Sequence, residues 1–370
     1  MIPLADRTDL DHLENKPAVF LLWPTRGKPE IIRTNVLRRR LTRTLKTLGE
    51  TVERIEYQYT GSRLEGHFLL WQQARLHLGP GYRRQIRLRL PPYVKLILTN
   101  PFPRTQIAAH IGRVPALYYG PFRNKATAAR FESEFLDLFQ LRRCQEDLTP
   151  DPEHPGCMYG EMGRCLRPCQ QAVGIEEYQA ETERVSLFLH TNGRSLKEPA
   201  STARDRLSAE MDFEGAALMH ARLGRIDEVL GLSDEMARDV NALNAVTITP
   251  SAAADSVELG WLRNGAWHGF RRLDFALADG GAVSLDRRLR ETALSIPENT
   301  SPAPEERMEQ LAILSRWFYS TWRDGEMLLI DDWSKMPWRK LVNAVSRIAQ
   351  GGSVQGVAAE PPTPHPSSHS

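Results

Sequence analysis

The chain has 370 residues, 48 Lys and Arg against 46 Asp and Glu, and a formal net charge of +2; 41% of it is apolar and 25% charged. This is ordinary globular composition, long enough for two or three domains that each bury a core. No apolar run approaches the ~20 residues needed to cross a bilayer, and Met1 to Lys16 is charged and lacks a leader-like apolar core, so the expectation is a cytoplasmic protein with no membrane partner.

The near-neutral total hides a strong polarity. No Asp or Glu occurs from Ile31 to Gly49, where Arg33, Arg38, Arg39, Arg40, Arg43 and Lys46 lie. None occurs from Gly66 to Phe131, a stretch with eleven cations that include Arg83, Arg84, Arg87, Arg89 and Lys95. Clustered Lys and Arg displace counterions from a phosphate backbone, so the basic N-terminal third points to a nucleic-acid partner.

In chain order, Ala18 to Trp23 is expected as a strand and Ile31-Ile32 as the start of a second. Val36 to Leu48 is expected as a helix with Leu37, Leu41, Leu45 and Leu48 on one face and arginines on the other. Ile55 to Thr60 reads as extended and Leu64 to Leu78 as helical. The alternation Arg87-Leu88-Arg89-Leu90 predicts a strand with its charges on one face, and Tyr93 to Thr99 another strand. Ala126 to Leu141 is expected as a helix carrying Phe131, Phe135, Leu138 and Phe139.

All four cysteines follow, within 26 residues: Cys144, Cys157, Cys165 and Cys169, separated by twelve, seven and three residues. Gly163 and Pro168 favour turns that aim sulfurs at one point. Four converging thiolates suit tetrahedral zinc or an iron–sulfur cluster, and spacing alone leaves both open. Glu176 to Leu189 is expected as a helix, then a helical hairpin from about Ser201 to Leu230 with Asp212 as N-cap. Two helices bury little surface alone, so this hairpin is expected to need a partner. From Ala245 to Asp331 the pattern reads strand, strand, helix, strand, with a hairpin turn at Asn264-Gly265. Trp261, Trp267, Trp317 and Trp322 are expected to fill the C-terminal core and Trp71 to lie near the nucleic-acid surface. Residues 355–370 read as a disordered Pro/Ser/His tail.

The order of these parts resembles the N-terminal half of the UvrC family, the incision subunits of bacterial nucleotide excision repair. Tyr118-Tyr119-Gly120-Pro121-Phe122, Leu141-Arg142-Arg143-Cys144 and Gly163-Arg164-Cys165 with Pro168-Cys169 carry the resemblance, with Pro92 to Leu96 and Phe102 to Arg104. Asp212-Phe213-Glu214 with Ala216-Ala217 is similar to the UVR motif that contacts UvrB, with His220 where the family has arginine. The resemblance implies an α/β architecture in four parts: a GIY-YIG-like nuclease domain over 15–105, a cysteine-rich module over 106–175, helices with a UVR hairpin over 176–235, and an α+β segment over 245–345. It implies a [4Fe–4S] cluster on the four cysteines, with zinc the alternative. It also implies DNA and a UvrB-type helicase subunit as partners, the latter through Phe213, Glu214, Ala216, Ala217 and His220.

Phosphodiester hydrolysis needs a base or water-positioning group, a cation for developing charge, and a carboxylate-held divalent metal. The resemblance places the first tyrosine on Phe20, the second on Glu30, a lysine on Arg33, the catalytic arginine on Arg40, the metal-binding glutamate on Leu70 or Trp71, and the closing asparagine on Tyr82 or Arg83. Cations persist where base and carboxylate are lost, so the site is expected to bind DNA and not cut it. The alternatives are an active endonuclease rebuilt around Arg40 and Glu30 with a divalent metal, and an iron–sulfur interaction or sensor module.

Overall fold

In the computed structural model, residues 1–4, 10–48, 51–275, 284–298 and 302–351 are described. The chain is mixed α/β, with helices packed on three four-stranded antiparallel sheets. The tail expected over 355–370 lies outside the described residues.

The first sheet takes β1 (Ile2–Pro3), β2 (Ala18–Pro24), β3 (Glu30–Thr34) and β4 (Val52–Tyr59) in the order β1-β4-β2-β3, with α1 (Leu37–Leu48) between β3 and β4. Alternation on β2 splits its apolar side chains between two cores. Ala18, Phe20 and Leu22 face Leu37 and Leu41 of α1, whereas Val19 and Leu21 face Leu69, Ala74 and Leu78 of α2 (Arg63–Leu78). Ser62 caps α2 by accepting from the Glu65 N–H.

A short α3 (Tyr82–Ile86) follows, and here one expectation fails. Residues 87–92 form no strand. Arg87 adopts φ 48° and ends α3, and Pro91-Pro92 supply no N–H for a ladder. The arginines of this stretch are therefore carried on a turn and an irregular segment.

The second sheet has β5 (Tyr93–Ile97), β6 (Arg104–Ala108) and β7 (Ala116–Gly120), joined by β8 (Arg238–Asp239) in the order β6-β5-β7-β8. α4 (Lys125–Leu136) packs Phe131 and Phe135 against it, stacked with Tyr119 and Phe188. The aromatic helix is thus shorter than expected, and α5 (Met158–Glu161) is a single turn. α6 (Ile175–His190) closes this core, and α7 (Arg194–Ala209) and α8 (Phe213–Gly231) form the hairpin. α7 starts earlier than expected and runs through Pro199.

The third sheet has β9 (Ala245–Pro250), β10 (Ser256–Arg263), β11 (Ala266–Asp274) and, after α9 (Leu285–Leu294) and α10 (Pro304–Phe318), β12 (Glu326–Leu329), in the order β11-β10-β9-β12. The Asn264-Gly265 turn has both residues at positive φ, as the two-residue hairpin requires. α11 (Trp338–Ala349) covers the sheet with Leu341, Val345 and Ile348. Trp261, Trp267 and Trp317 are buried here, and Trp322 is partly buried against the same packing.

Candidate nucleic-acid interface and cysteine centre

The basic cleft is built from one amphipathic helix. Leu37 and Leu41 anchor α1 on the sheet, which throws Arg39, Arg40 and Arg43 outward. They meet Arg33 and Asn35 in a cleft of about 480 Å³. Three arginines, Arg38 to Arg40, stand in or next to the first turn of α1, where the helix dipole is already positive. That placement costs a few tenths of a kcal/mol per charge and reinforces the cationic potential. Arg39, Arg40 and Arg43 form no ion pair among the described residues. Arg38 donates to the Asp11 carbonyl at 3.3 Å. Arg33 lays its aliphatic stem over α2 at Gly66, where a Cβ would sit 3.2 Å from its Cδ, and donates to Asn35 at 3.3 Å.

The positions expected to have lost their catalytic groups are structural in different ways. Phe20 is fully buried beneath α1. Glu30 is exposed at the start of β3, paired with Leu22. Trp71, expected near the nucleic-acid surface, is buried instead, because its indole N–H donates to Glu309 of α10 at 2.9 Å. Tyr82 donates to the same carboxylate at 2.6 Å and Arg83 at 2.7 Å, and Arg83 also reaches Glu305 at 3.0 Å. The two carboxylates push the Arg83 guanidinium further up, so it stays charged. Arg75 lies 4.7 Å over the Trp71 ring and 3.0 Å from Glu306. Three acids one helical face apart on α10 thus grip α2 and α3. Sequence reading missed this latch because its partners are more than 220 residues apart.

Glu65 bends back to accept from the Gly61 N–H at 2.7 Å. Burial, opposed by that bond, raises its carboxyl from 4.5 to about 7. Arg84, Arg87 and Arg89 are exposed, and Lys95 sits 5.7 Å over the Tyr118 ring.

In the cysteine module, Cys165 and Cys169 are buried, Cys144 is partly exposed and Cys157 exposed. Gly163 and Arg167 adopt left-handed backbone on either side of Cys165. As placed, the described residues include no group of three or more His, Cys, Asp or Glu close enough to grip one metal ion. The four sulfurs nevertheless share one neighbourhood. Burial pushes the Cys165 thiol up to about 11, with further contributions from Cys144, Cys157 and Cys169.

The surroundings of these thiols suit an anionic centre. The Arg167 N–H donates to the Cys165 sulfur at 3.4 Å, and Arg142 Nη1 reaches the Cys144 sulfur at 3.4 Å. Arg142 is 1% exposed, bonded to the carbonyls of Phe102, Cys144 and Glu146, and its Nη2 has no hydrogen-bond partner. A buried guanidinium without a carboxylate costs several kcal/mol unless negative charge lies beside it. Four thiolates around a zinc or an iron–sulfur cluster supply that charge, so the residues fit either group.

On the helical hairpin, Asp212 caps α8 by accepting from the Gly215 N–H at 2.9 Å. Leu223, Ile226 and Val229 are buried, but at the N-terminal end Phe213 is 70% and Leu218 66% exposed. Phe213, Glu214, Ala217 and His220 are all exposed and Ala216 half-buried, so this end of α8 is left largely uncovered by the described residues.

Residues 92–188, from β5 to α6, match the family model of the UvrC/Cho excinuclease middle domain. Over these residues the chain is similar to the UvrC family. It is 24% identical over 319 residues to UvrABC system protein C of Dehalococcoides mccartyi, covering 84% of this chain and 51% of that one. Against UvrABC system protein C of Desulforudis audaxviator it is 25% identical over 323 residues, covering 83% and 52%. Against that of Alcanivorax borkumensis it is 26% identical over 229 residues, covering 59% and 37%. The chain spans about half the length of the curated UvrC relatives it matches. No solved structure matches it. No described helix is long and apolar enough to cross a membrane.

Proposed function

We propose that this UvrC-like chain serves nucleotide excision repair as an accessory that binds DNA and docks on a UvrB-type partner without cutting. The observation that carries this reading is the asymmetry of the nuclease-like cleft. Its arginines, Arg33, Arg39, Arg40 and Arg43, open to solvent together. The position that would supply the base holds buried Phe20, and the one that would supply the metal ligand holds half-buried Leu70 or buried Trp71. Phe20 on β2, Arg40 on α1 and Leu70 or Trp71 on α2 follow the order of strand, helix and next helix that the resemblance implies for the tyrosine, arginine and glutamate. In this reading the arginines neutralise phosphates, and Phe20 and Leu70 or Trp71 supply neither base nor metal ligand.

Cys144, Cys157, Cys165 and Cys169 hold an iron–sulfur cluster in this reading, with zinc as the alternative. Either group fixes a segment of long loops, and Arg142 balances its charge. The exposed end of α8 at Phe213 is the partner contact, with Glu214, Ala216, Ala217 and His220.

The test is equilibrium binding of a labelled duplex across a salt series. Affinity is expected to fall with a log–log slope of about −3 or steeper, in keeping with three or more neutralised phosphates. A slope near zero contradicts phosphate recognition. Metal analysis and absorbance of anaerobically purified protein decide the cofactor: a brown protein with iron and sulfide supports the cluster, and one colourless zinc replaces it.

A further inference from the structure

Away from the α1 cleft, four cations gather from three separate parts of the chain. Arg89 comes from the irregular segment before β5, Arg123 and Lys125 from the start of α4, and Arg316 from α10. With Pro92 and Tyr319 they line a groove of about 510 Å³. All four are exposed, and none forms an ion pair among the described residues. Arg123 is held 5.2 Å over the Tyr319 ring, which orients its guanidinium. The carboxylate at this corner, Asp234, is occupied by the Arg123 backbone N–H at 2.6 Å and the Thr127 hydroxyl at 3.2 Å. The groove also meets the N-terminus of α4, which Asn124 already caps by accepting from the Thr127 N–H at 3.0 Å.

Such a groove suits an anion, and its position indicates which. The start of α2 links the two cationic surfaces: the Arg33 stem lies against Gly66, and Asp324 accepts both the Arg63 N–H at 2.5 Å and, at 2.9 Å, the indole N–H of Trp317, next to Arg316 on α10. Burial first, then the Arg33 and Arg316 charges, press the imidazole of neighbouring half-buried His67 down to about 3, against its bond to the Arg63 carbonyl. Arg33 lines the α1 cleft and Arg316 the groove. Like charges brought this close by separate parts of the fold repel one another, and a ligand that carries one negative charge per unit along its length offsets that repulsion.

We infer that Arg89, Arg123, Lys125 and Arg316 form a second phosphate-binding groove that continues the α1 cleft, and that one duplex DNA backbone runs over both. The inference rests on the DNA-binding reading above and extends it. The C-terminal part of the chain becomes a component of the DNA surface through Arg316, and the middle region contributes more than the cysteine centre. A short duplex engages one surface; a longer one engages both.

The experiment is anisotropy with labelled duplexes of about one and about three helical turns (~10 and ~30 base pairs), using the full chain. Three proteins are compared: wild type, a variant with Arg89→Ala, Arg123→Ala, Lys125→Ala and Arg316→Ala, and one with Arg89→Lys, Arg123→Lys and Arg316→Lys. The alanine variant is expected to lose at least about tenfold in affinity for the long duplex and to flatten its salt slope by about 3 to 4. Its affinity for the short duplex falls less, and the lysine variant stays near wild type on both. Unchanged long-duplex affinity and slope in the alanine variant, with a clear loss on Arg39→Ala/Arg40→Ala/Arg43→Ala, overturns the groove and leaves the DNA-binding reading standing. Equal losses in the lysine and alanine variants also overturn it, since charge is then not the cause. Wild type that binds neither duplex at low salt defeats the underlying reading as well.

Discussion

The two sides of the N-terminal α/β region differ in kind. On the α1 side, cations crowd the dipole-positive end of a helix and face solvent at a local cost to stability. On the α2–α3 side, the positions expected to hold a carboxylate and an asparagine carry Trp71, Tyr82 and Arg83, and these close on Glu309 of α10. One side keeps a binding surface open, and the other has become a joint between distant parts of the chain. An active site needs both sides to face the same substrate; in the proposed reading, the side that would hold a metal at Leu70 or Trp71 serves as an internal contact instead.

The largest expected effect comes from breaking the joint. Glu309→Ala leaves the Trp71 indole N–H, the Tyr82 hydroxyl and the Arg83 guanidinium without their shared acceptor, and should cost about 3–5 kcal/mol of stability. Chemical denaturation reads this directly. A loss below about 1 kcal/mol would mean that the latch holds little.

On the open side, Arg39→Ala/Arg40→Ala/Arg43→Ala should weaken duplex binding at least about tenfold and flatten the salt slope by about 3. Thermal melting should be unchanged or slightly higher, because cations leave the positive end of α1. A lower melting temperature would contradict the view that these arginines are placed for a ligand.

Glu65 gives a pH test between the two sides. Its carboxyl is raised in the folded protein from 4.5 to about 7 by burial. The folded state therefore holds a proton that the unfolded state releases between those values, and this group's contribution falls as pH rises from about 4.5 to 7. Glu65→Gln should remove that decline, seen as a flatter stability profile over the same window. A profile identical to wild type would place Glu65 in water.

The smallest effect on folding is expected at Phe213. Because it is 70% exposed, Phe213→Ala should change stability by no more than about 0.5 kcal/mol while weakening capture of a UvrB-type partner by at least about tenfold. Loss of stability without loss of partner binding would assign Phe213 to the fold.

Much of the scaffold was legible from periodicity. The apolar spacing of Leu37, Leu41, Leu45 and Leu48 located α1, Asp212 marked the start of α8, and Asn264-Gly265 marked the β10–β11 turn. The arginine cleft was legible too, because Arg39, Arg40 and Arg43 sit on one short helix, a few residues after Arg33 on β3. The misses have physical causes. Arg87 to Leu90 alternate like a strand, but Arg87 in the left-handed region and Pro91-Pro92 prevent pairing. Trp71 lies in the acid-free stretch and was expected near the nucleic-acid surface; its partner, Glu309, lies in another part of the fold. Arg316 was invisible as part of a groove for the same reason, and Arg142 gave no sign that it would be buried beside Cys144.

The central claim is that this cleft binds DNA and does not cut it. The direct measurement incubates the protein with end-labelled, lesion-bearing duplex, magnesium or manganese, and a UvrB-type partner, with Arg40→Ala alongside. The account predicts a shifted, uncut duplex whose binding weakens in Arg40→Ala. Metal-dependent strand cleavage that disappears in Arg40→Ala would contradict it and make this chain a nuclease with a rebuilt site.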